Sequence, residues 1–226
     1  MQRGVLFDLD GTLLDTVEDF YRIIEQMRSE RKAAEVPAQL IRQQVSNGSV
    51  GMLCAAFSTR PDAPGFDELR DDFLQRYDRQ LAVHTRPFPG IPELLDWLDT
   101  EQIPWGVVTN KLSRFSTPLL AAIGWSERCA ALVCPDQVSQ PKPHPEPLLK
   151  ACQQMAIDPA ASLYVGDHQR DIDAGRAAGM QTIAALYGYL PVGDDPARWQ
   201  ADHSIANAAE LRPWLSRQWQ LEVTHV

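Results

Sequence analysis

The chain has 226 residues, 44% of them hydrophobic, which suffices for one well-packed core with a small appended domain. Its formal charge is -9 and its 21 Lys and Arg are scattered, so no basic stripe exists to hold a phosphate backbone and nucleic acid is not an expected partner. No apolar run approaches the roughly 20 residues of a membrane span, and no basic-then-apolar leader precedes "VLFD", so a cytoplasmic protein without membrane contact is expected.

The first element is the apolar run "GVLFD" (4 to 8), read as a strand buried on both faces and ending in two aspartates, Asp8 and Asp10. Residues 15 to 83 then contain no convincing strand. They show helical patterning in "TVEDFYRIIEQMRSERKAA", "AQLIRQQV", "GMLCAAFS" and "FDELRDDFLQRYDRQLA". This interval reads as a separate helical domain inserted after the first strand, which leaves 1–14 and 84–226 as the core. Asp15 and Asp19 read as acids of a helix start. Between two of the inserted helices, "SNGSVGM" is rich in small residues, and Asn47, Gly48 and Ser49 are candidates for backbone approach to a ligand or for an ordinary helix cap. Arg60 and Arg76 read as solvated.

Beyond the insertion, helical and apolar segments alternate. "GIPELLDWLDTEQ" leads to the strand "PWGVVTN" (104 to 110), and "RFSTPLLAAIG" leads to the strand "AALVCP" (130 to 135). "HPEPLLKACQQMA" leads to "SLYVGD" (162 to 167), and "RDIDAGRAAG" to "QTIAALY" (181 to 187). Such alternation predicts an α/β fold with a doubly wound parallel sheet, Rossmann-like, carrying the inserted α-helical domain. "GYLPVGDDPARWQAD" (188 to 202) follows as a loop beside the mouth of a site, with Trp199 read as a packing residue. Cys54, Cys129, Cys134 and Cys152 form no CxxC pair, so no zinc site is expected and the thiols read as reduced and mostly buried.

In open α/β sheets ligands bind beyond the carboxyl ends of the strands. The residues closing these strands are Asp8 and Asp10, then Thr109 and Asn110, then Asp167, with Lys142 in the "QPKPHP" loop and Asp171 at the start of the following helix. The D-x-D spacing lets both carboxylates approach one centre as the chain leaves the sheet, and Gly11 permits a tight turn there. Four carboxylates against the single ammonium of Lys142 leave an excess negative charge that a phosphate ester would not approach unaided. A hard divalent cation is required, and oxygen ligands with room for substrate oxygens suit Mg²⁺.

The ordered set "DLDGTLLDT", "VVTN", "KPHPEP" and "VGDHQRDIDAGRAAGM" resembles the haloacid dehalogenase superfamily, and specifically its phosphatases with a helical cap inserted after the first strand. The resemblance covers nearly the whole chain. It implies an Mg²⁺-dependent phosphomonoesterase in which Asp8 attacks phosphorus to form an aspartyl-phosphate and Asp10 protonates the leaving alcohol and then activates water. Thr109 and Lys142 would hold phosphoryl oxygens, with Asn110 nearby. The metal would be held by Asp8, the Asp10 backbone carbonyl and Asp167, with Asp171 as a ligand or as a hydrogen-bond partner of the ligands. A general acid at position 10 is needed for an alkoxide but not for a halide leaving group, which favours a phosphatase or mutase over a dehalogenase.

At a finer grain "GVVTNKLSRFSTPLL", "CPDQVSQPKPHPEPLL" and "YGYLPVGDDPARWQAD" resemble the phosphoglycolate-phosphatase-like branch, and within it the bacterial family that dephosphorylates the muramic 6-phosphate of cell-wall (peptidoglycan) recycling. That family's pattern has a glycine pair and an arginine in the cap loop, where this chain has Asn47, Gly48 and Val50, and Asp where it has His168. The resemblance implies a small-molecule phosphate ester as partner and a monomer or small homo-oligomer. Phosphoglycolate hydrolysis, a sugar phosphomutase and a receiver-type signalling module are the alternatives, although the last lacks a helical insertion.

Overall fold

The computed structural model describes residues 2–191 and 193–221. A six-stranded sheet forms its centre, built from β1 (Val5–Phe7), β4 (Trp105–Val108), β5 (Leu132–Val133), β6 (Leu163–Gly166), β7 (Gln181–Ala185) and β8 (His203–Ile205). The order is β5-β4-β1-β6-β7-β8, and every pairing is parallel. The chain runs outward from β1 through β4 to β5, then returns to the other side for β6 to β8. The direction of winding therefore reverses at β1, and the crevice for a ligand lies at the carboxyl ends of β1, β4 and β6.

Alternation along β1 separates the two helical layers. Val5 and Phe7 pack with the layer formed by α5 (Ile91–Thr100), α6 (Ser113–Ile123) and α9 (Leu211–Gln218), through residues such as Leu95, Leu119 and Leu215. Leu6 packs with α7 (Glu146–Met155) and α8 (Gln169–Ala177), through Leu148, Cys152 and Ala174. Trp199 is buried against Ile172 and Ala184, a packing role as its sequence context suggested.

The inserted segment contains α1 (Val17–Glu30), α2 (Ala38–Arg42), α3 (Gly48–Phe57) and α4 (Phe66–Arg79). It leaves and rejoins the core through two strands that the sequence does not announce, β2 (Leu14–Asp15) and β3 (Arg86–Pro87), paired antiparallel. Asp19 is not a solvated first-turn acid. It is buried, and its carboxylate accepts the N–H groups of His84 and Thr85 and the Thr85 hydroxyl at 2.7, 3.1 and 2.6 Å, tying α1 to the returning chain. Asp15 likewise does not cap α1 but pairs with Arg42 and accepts the Tyr189 hydroxyl. Arg76 bridges Glu30 and Asp72, joining α1 to α4, while Arg60 is exposed beside Asp62. The strand β8, absent from the sequence reading, extends the sheet by one edge.

Candidate active site

The acidic groups lie at or just beyond the ends of two strands. Asp8 follows β1, and its backbone N–H donates to the Val165 carbonyl at 2.9 Å, which continues the ladder and holds the first aspartate beside β6. Asp167 follows β6 and Asp171 lies in the first turn of α8; both are buried. Asp8, Asp167 and Asp171 each offer a carboxylate oxygen within 4.8 Å of the others. The Asp10 carboxylate is directed elsewhere, accepting the Thr16 hydroxyl at 2.7 Å and the Lys111 ammonium at 3.0 Å.

Packing fixes Asp167 closely. Gly11 adopts φ +87°, and a Cβ there would lie 2.1 Å from Asp167 Oδ2, while a Cβ on Gly188 would lie 2.3 Å from Asp167 Cβ. Asp167 Oδ2 accepts the Tyr189 N–H at 2.7 Å and Oδ1 the Thr12 hydroxyl at 3.2 Å. Burial, then the charges of Asp8 and Asp171, push the Asp167 carboxyl well above the usual range. Burial also raises Asp171, against the opposing pull of Lys142. Three carboxylates so arranged favour either a proton or a cation, and their oxygen-only chemistry fits a hard divalent ion.

Lys142 is 3% exposed and its ammonium touches Asp171 at 2.7 Å, Asp8 at 2.9 Å, the Tyr164 hydroxyl at 2.7 Å and the Val108 carbonyl at 2.9 Å. Burial pulls its pKa down, but Asp171 and Asp8 outweigh that and leave it raised, so it remains an ammonium. Thr109 is buried with its hydroxyl accepting the Lys111 N–H at 3.2 Å. Asn110 lines the cavity, yet its amide N–H donates to the Lys142 carbonyl at 3.0 Å, so in this geometry it anchors the loop that carries Lys142.

Lys111 is the main participant that sequence reasoning missed, although it directly follows "VVTN". Its side chain is nearly buried, bonded to Asp10, and its ammonium lies 4.7 Å from the ring centres of both Phe20 and Tyr77 on the inserted helices. Burial opposes its charge, but Asp10 prevails and its pKa is raised. With Lys111 counted, four carboxylates face two ammonium groups, and the deficit of two charges is what one divalent cation cancels. His168, half-buried, is pushed down to about 4 by burial first and by Arg170 next, so it is neutral near pH 7. Three thiols, Cys129, Cys134 and Cys152, are each pushed up to about 11 by burial, which keeps them protonated near pH 7.

Above these groups lies a cavity of about 340 Å³ shared by the core and the inserted helices. Asp8, Asp10, Thr109, Lys111 and Lys142 form its floor. Asn47, Gly48 and Ser49 line it too, but not as a loop between helices: a single 3₁₀ turn over Val45–Asn47 runs straight into α3, which places Gly48 and Ser49 in its first turn. Arg70, Phe73, Leu74 and Tyr77 contribute from α4. Among the described residues no helix is long and apolar enough to cross a membrane.

The chain matches the haloacid dehalogenase-like hydrolases over residues 5–185 and belongs to that family. It is 47% identical over 215 residues to the N-acetylmuramic acid 6-phosphate phosphatase of Pseudomonas aeruginosa, covering 95% of each chain. It is 41% identical over 217 residues to a phosphoglycolate phosphatase of Xanthomonas campestris, covering 96% of this chain and 97% of the other. Among solved structures, that of a predicted phosphoglycolate phosphatase from Haemophilus somnus superposes with a TM-score of 0.81 at 24% identity, covering 94% of this chain and 97% of that one, and shares the fold. The protein is a phosphoric monoester hydrolase, with small phosphate esters as its substrate class.

Proposed function

We propose that the protein hydrolyses N-acetylmuramic acid 6-phosphate through an aspartyl-phosphate on Asp8, with Mg²⁺ as cofactor, in the cytoplasmic recycling of cell-wall sugars. The observation that carries the choice of ester is the cavity: about 340 Å³ falls among sites that enclose a whole small ligand and far exceeds what a two-carbon phospho-acid fills. Relatives at 47% and 48% identity that bear this activity support the same reading.

In the proposed reaction Asp8 Oδ attacks phosphorus as the ester oxygen departs, and Asp10 gives that oxygen its proton. Asp10 then takes a proton from water as the water attacks the phosphorus of the acyl phosphate, which releases inorganic phosphate and frees Asp8. Lys142 and Thr109 hold the phosphoryl oxygens, and Lys111 keeps Asp10 in place. Asp8 and Asp167, with the Asp10 carbonyl, would hold Mg²⁺, and Asp171 is bonded to Lys142 beside them; the ion would supply charge neutralisation for the phosphoryl group. The inserted helices act as a cap, residues 15–83 moving against the rest of the chain to admit ester and exclude bulk water.

The test is phosphate release with Mg²⁺ from N-acetylmuramic acid 6-phosphate beside 2-phosphoglycolate and other sugar phosphates, at matched low concentrations, with Asp8→Asn as blank. The muramic ester should give the highest kcat/KM. A preference for 2-phosphoglycolate would reject the sugar assignment, and wild-type turnover by Asp8→Asn, deamidation excluded, would reject the nucleophile.

A further inference from the structure

The two walls of the cavity differ in how their positive charge is partnered. On the core wall Lys142 is paired with Asp8 and Asp171, and Lys111 with Asp10. Arg170 donates to the Ser46 carbonyl, linking α8 to the cap. On the cap wall Arg70 is half-buried and has no carboxylate partner among the described residues; its Nε donates to Ser49 Oγ at 3.2 Å. That bond orients the guanidinium and leaves its terminal N–H groups, the planar fork that suits a carboxylate, on the cavity wall.

Helix geometry sets the spacing of these groups along the cap wall. Arg70, Phe73, Leu74 and Tyr77 recur at i, i+3, i+4 and i+7, so they share one face of α4, and all four line the cavity. Tyr77 marks the phosphoryl end, since the Lys111 ammonium that holds Asp10 lies 4.7 Å from its ring. Arg70 stands seven residues earlier, about 10 Å along the helix at 1.5 Å per residue. Between them Phe73 and Leu74 present apolar surface.

We infer that Arg70, oriented by Ser49, sets specificity by pairing with a carboxylate that the substrate carries about 10 Å from its phosphoryl group, across an apolar stretch. The inference rests on the sugar-phosphatase reading above. A two-carbon phospho-acid cannot span that interval, because its carboxylate carbon is two bonds from the bridging oxygen. A hexosamine with an acidic ether on ring carbon 3, two ring atoms from the carbon that bears its phosphorylated arm, carries its carboxylate several bonds further from the phosphoryl group and reaches across it.

Two esters isolate the carboxylate: N-acetylmuramic acid 6-phosphate and N-acetylglucosamine 6-phosphate differ only in the lactyl ether. Steady-state kinetics of wild type, Arg70→Lys, Arg70→Met and Ser49→Ala read the preference between them. Wild type should favour the acid by about tenfold to hundredfold in kcat/KM, the worth of a charge-assisted pair. Arg70→Met should collapse the preference to about twofold or less, mainly through KM of the acid, while Arg70→Lys and Ser49→Ala keep intermediate preferences. Should Arg70→Met misfold by circular dichroism, the other two variants carry the test. A preference that persists undiminished in the folded variants overturns the carboxylate site and leaves the muramic reading intact, whereas no wild-type preference between the two sugars overturns both the site and the choice of the muramic ester, leaving only a sugar phosphatase. Hydrolysis of 2-phosphoglycolate in place of both sugars overturns that reading and the inference with it.

Discussion

Replacing Lys142 by Met tests whether its ammonium is the fixed counter-charge of the carboxylate group. The side chain is buried, and its loss leaves Asp8 and Asp171 without the contacts at 2.9 and 2.7 Å. Removing one partner of a buried pair costs about 3–5 kcal/mol. The lower end applies, because Asp167 and Asp171 are already raised by burial and can take up a proton instead. At roughly 2–4 °C per kcal/mol for a chain of this size, about 3 kcal/mol lowers Tm by about 6–12 °C in EDTA. Saturating Mg²⁺ should recover at least half of the deficit, since the ion supplies the missing positive charge. The pH dependence has a fixed sign. The folded state holds Asp167 and Asp171 above the ordinary carboxylate value of about 3.9, so it binds protons that the unfolded chain has released. Metal-free stability is therefore present as pH falls below those raised values and is lost as pH rises through them, more steeply in the variant. Melting followed by circular dichroism from pH 5.5 to 8, with EDTA and with Mg²⁺, measures all three quantities. A metal-free variant that melts within about 2 °C of wild type, or a deficit that Mg²⁺ leaves unchanged, would refute the counter-charge role.

Gly188→Ala puts a Cβ 2.3 Å from Asp167 Cβ and 2.4 Å from the Gly11 carbonyl, so Asp167 must move. The Mg²⁺ concentration for half-maximal activity should rise about tenfold to hundredfold, and an unchanged activation curve would show that Asp167 tolerates displacement. Tyr189→Phe removes the hydroxyl that accepts the Thr16 and Val17 N–H groups at 2.6 and 3.1 Å and donates to Asp15 at 2.7 Å. A loss of about 1–3 kcal/mol, or about 2–12 °C in Tm, is expected, and equal melting of the two proteins would show those N–H groups to be otherwise satisfied.

The core strands were legible because they are buried on both faces and so read as continuous apolar runs: Val5–Phe7, Trp105–Val108 and Leu163–Gly166 lie wholly in the interior. β8 was not, since His203 and Ser204 break any apolar run and its ladder depends on one neighbour, β7. β2 and β3 carry no local signal at all, being two residues each and defined only by meeting across the inserted helices. Asp8, Asp10, Asp167 and Lys142 could be found because their chemistry is unusual for the ends of apolar strands. Lys111 and Tyr189 escaped because a lysine after an Asn and a tyrosine in a loop look solvated until tertiary packing buries one beside Asp10 and the other over Asp15. Arg70 escaped for the same reason, as its place on the cavity wall follows from how α4 packs over the core.

Tyr189 joins features that the sequence keeps apart. Its backbone N–H holds Asp167 Oδ2 at 2.7 Å, its hydroxyl binds Asp15 and the first N–H groups leading into α1, and the Arg42 guanidinium lies 4.8 Å from its ring centre. Arg42 in turn pairs with Asp15, on the strand through which the chain enters the inserted helices. One residue thus contacts both a carboxylate of the metal-compatible group and the strand through which the chain enters the inserted helices. If the proposed cap motion turns about the β2–β3 pair, it must either break the hydroxyl bonds or carry the Tyr189 ring with it. Because Gly11 and Gly188 pack against Asp167 too closely for a Cβ, the ring cannot be carried far before Asp167 is disturbed. In the cap motion proposed above, the hydroxyl contacts to Thr16, Val17 and Asp15 are therefore the ones that would have to yield.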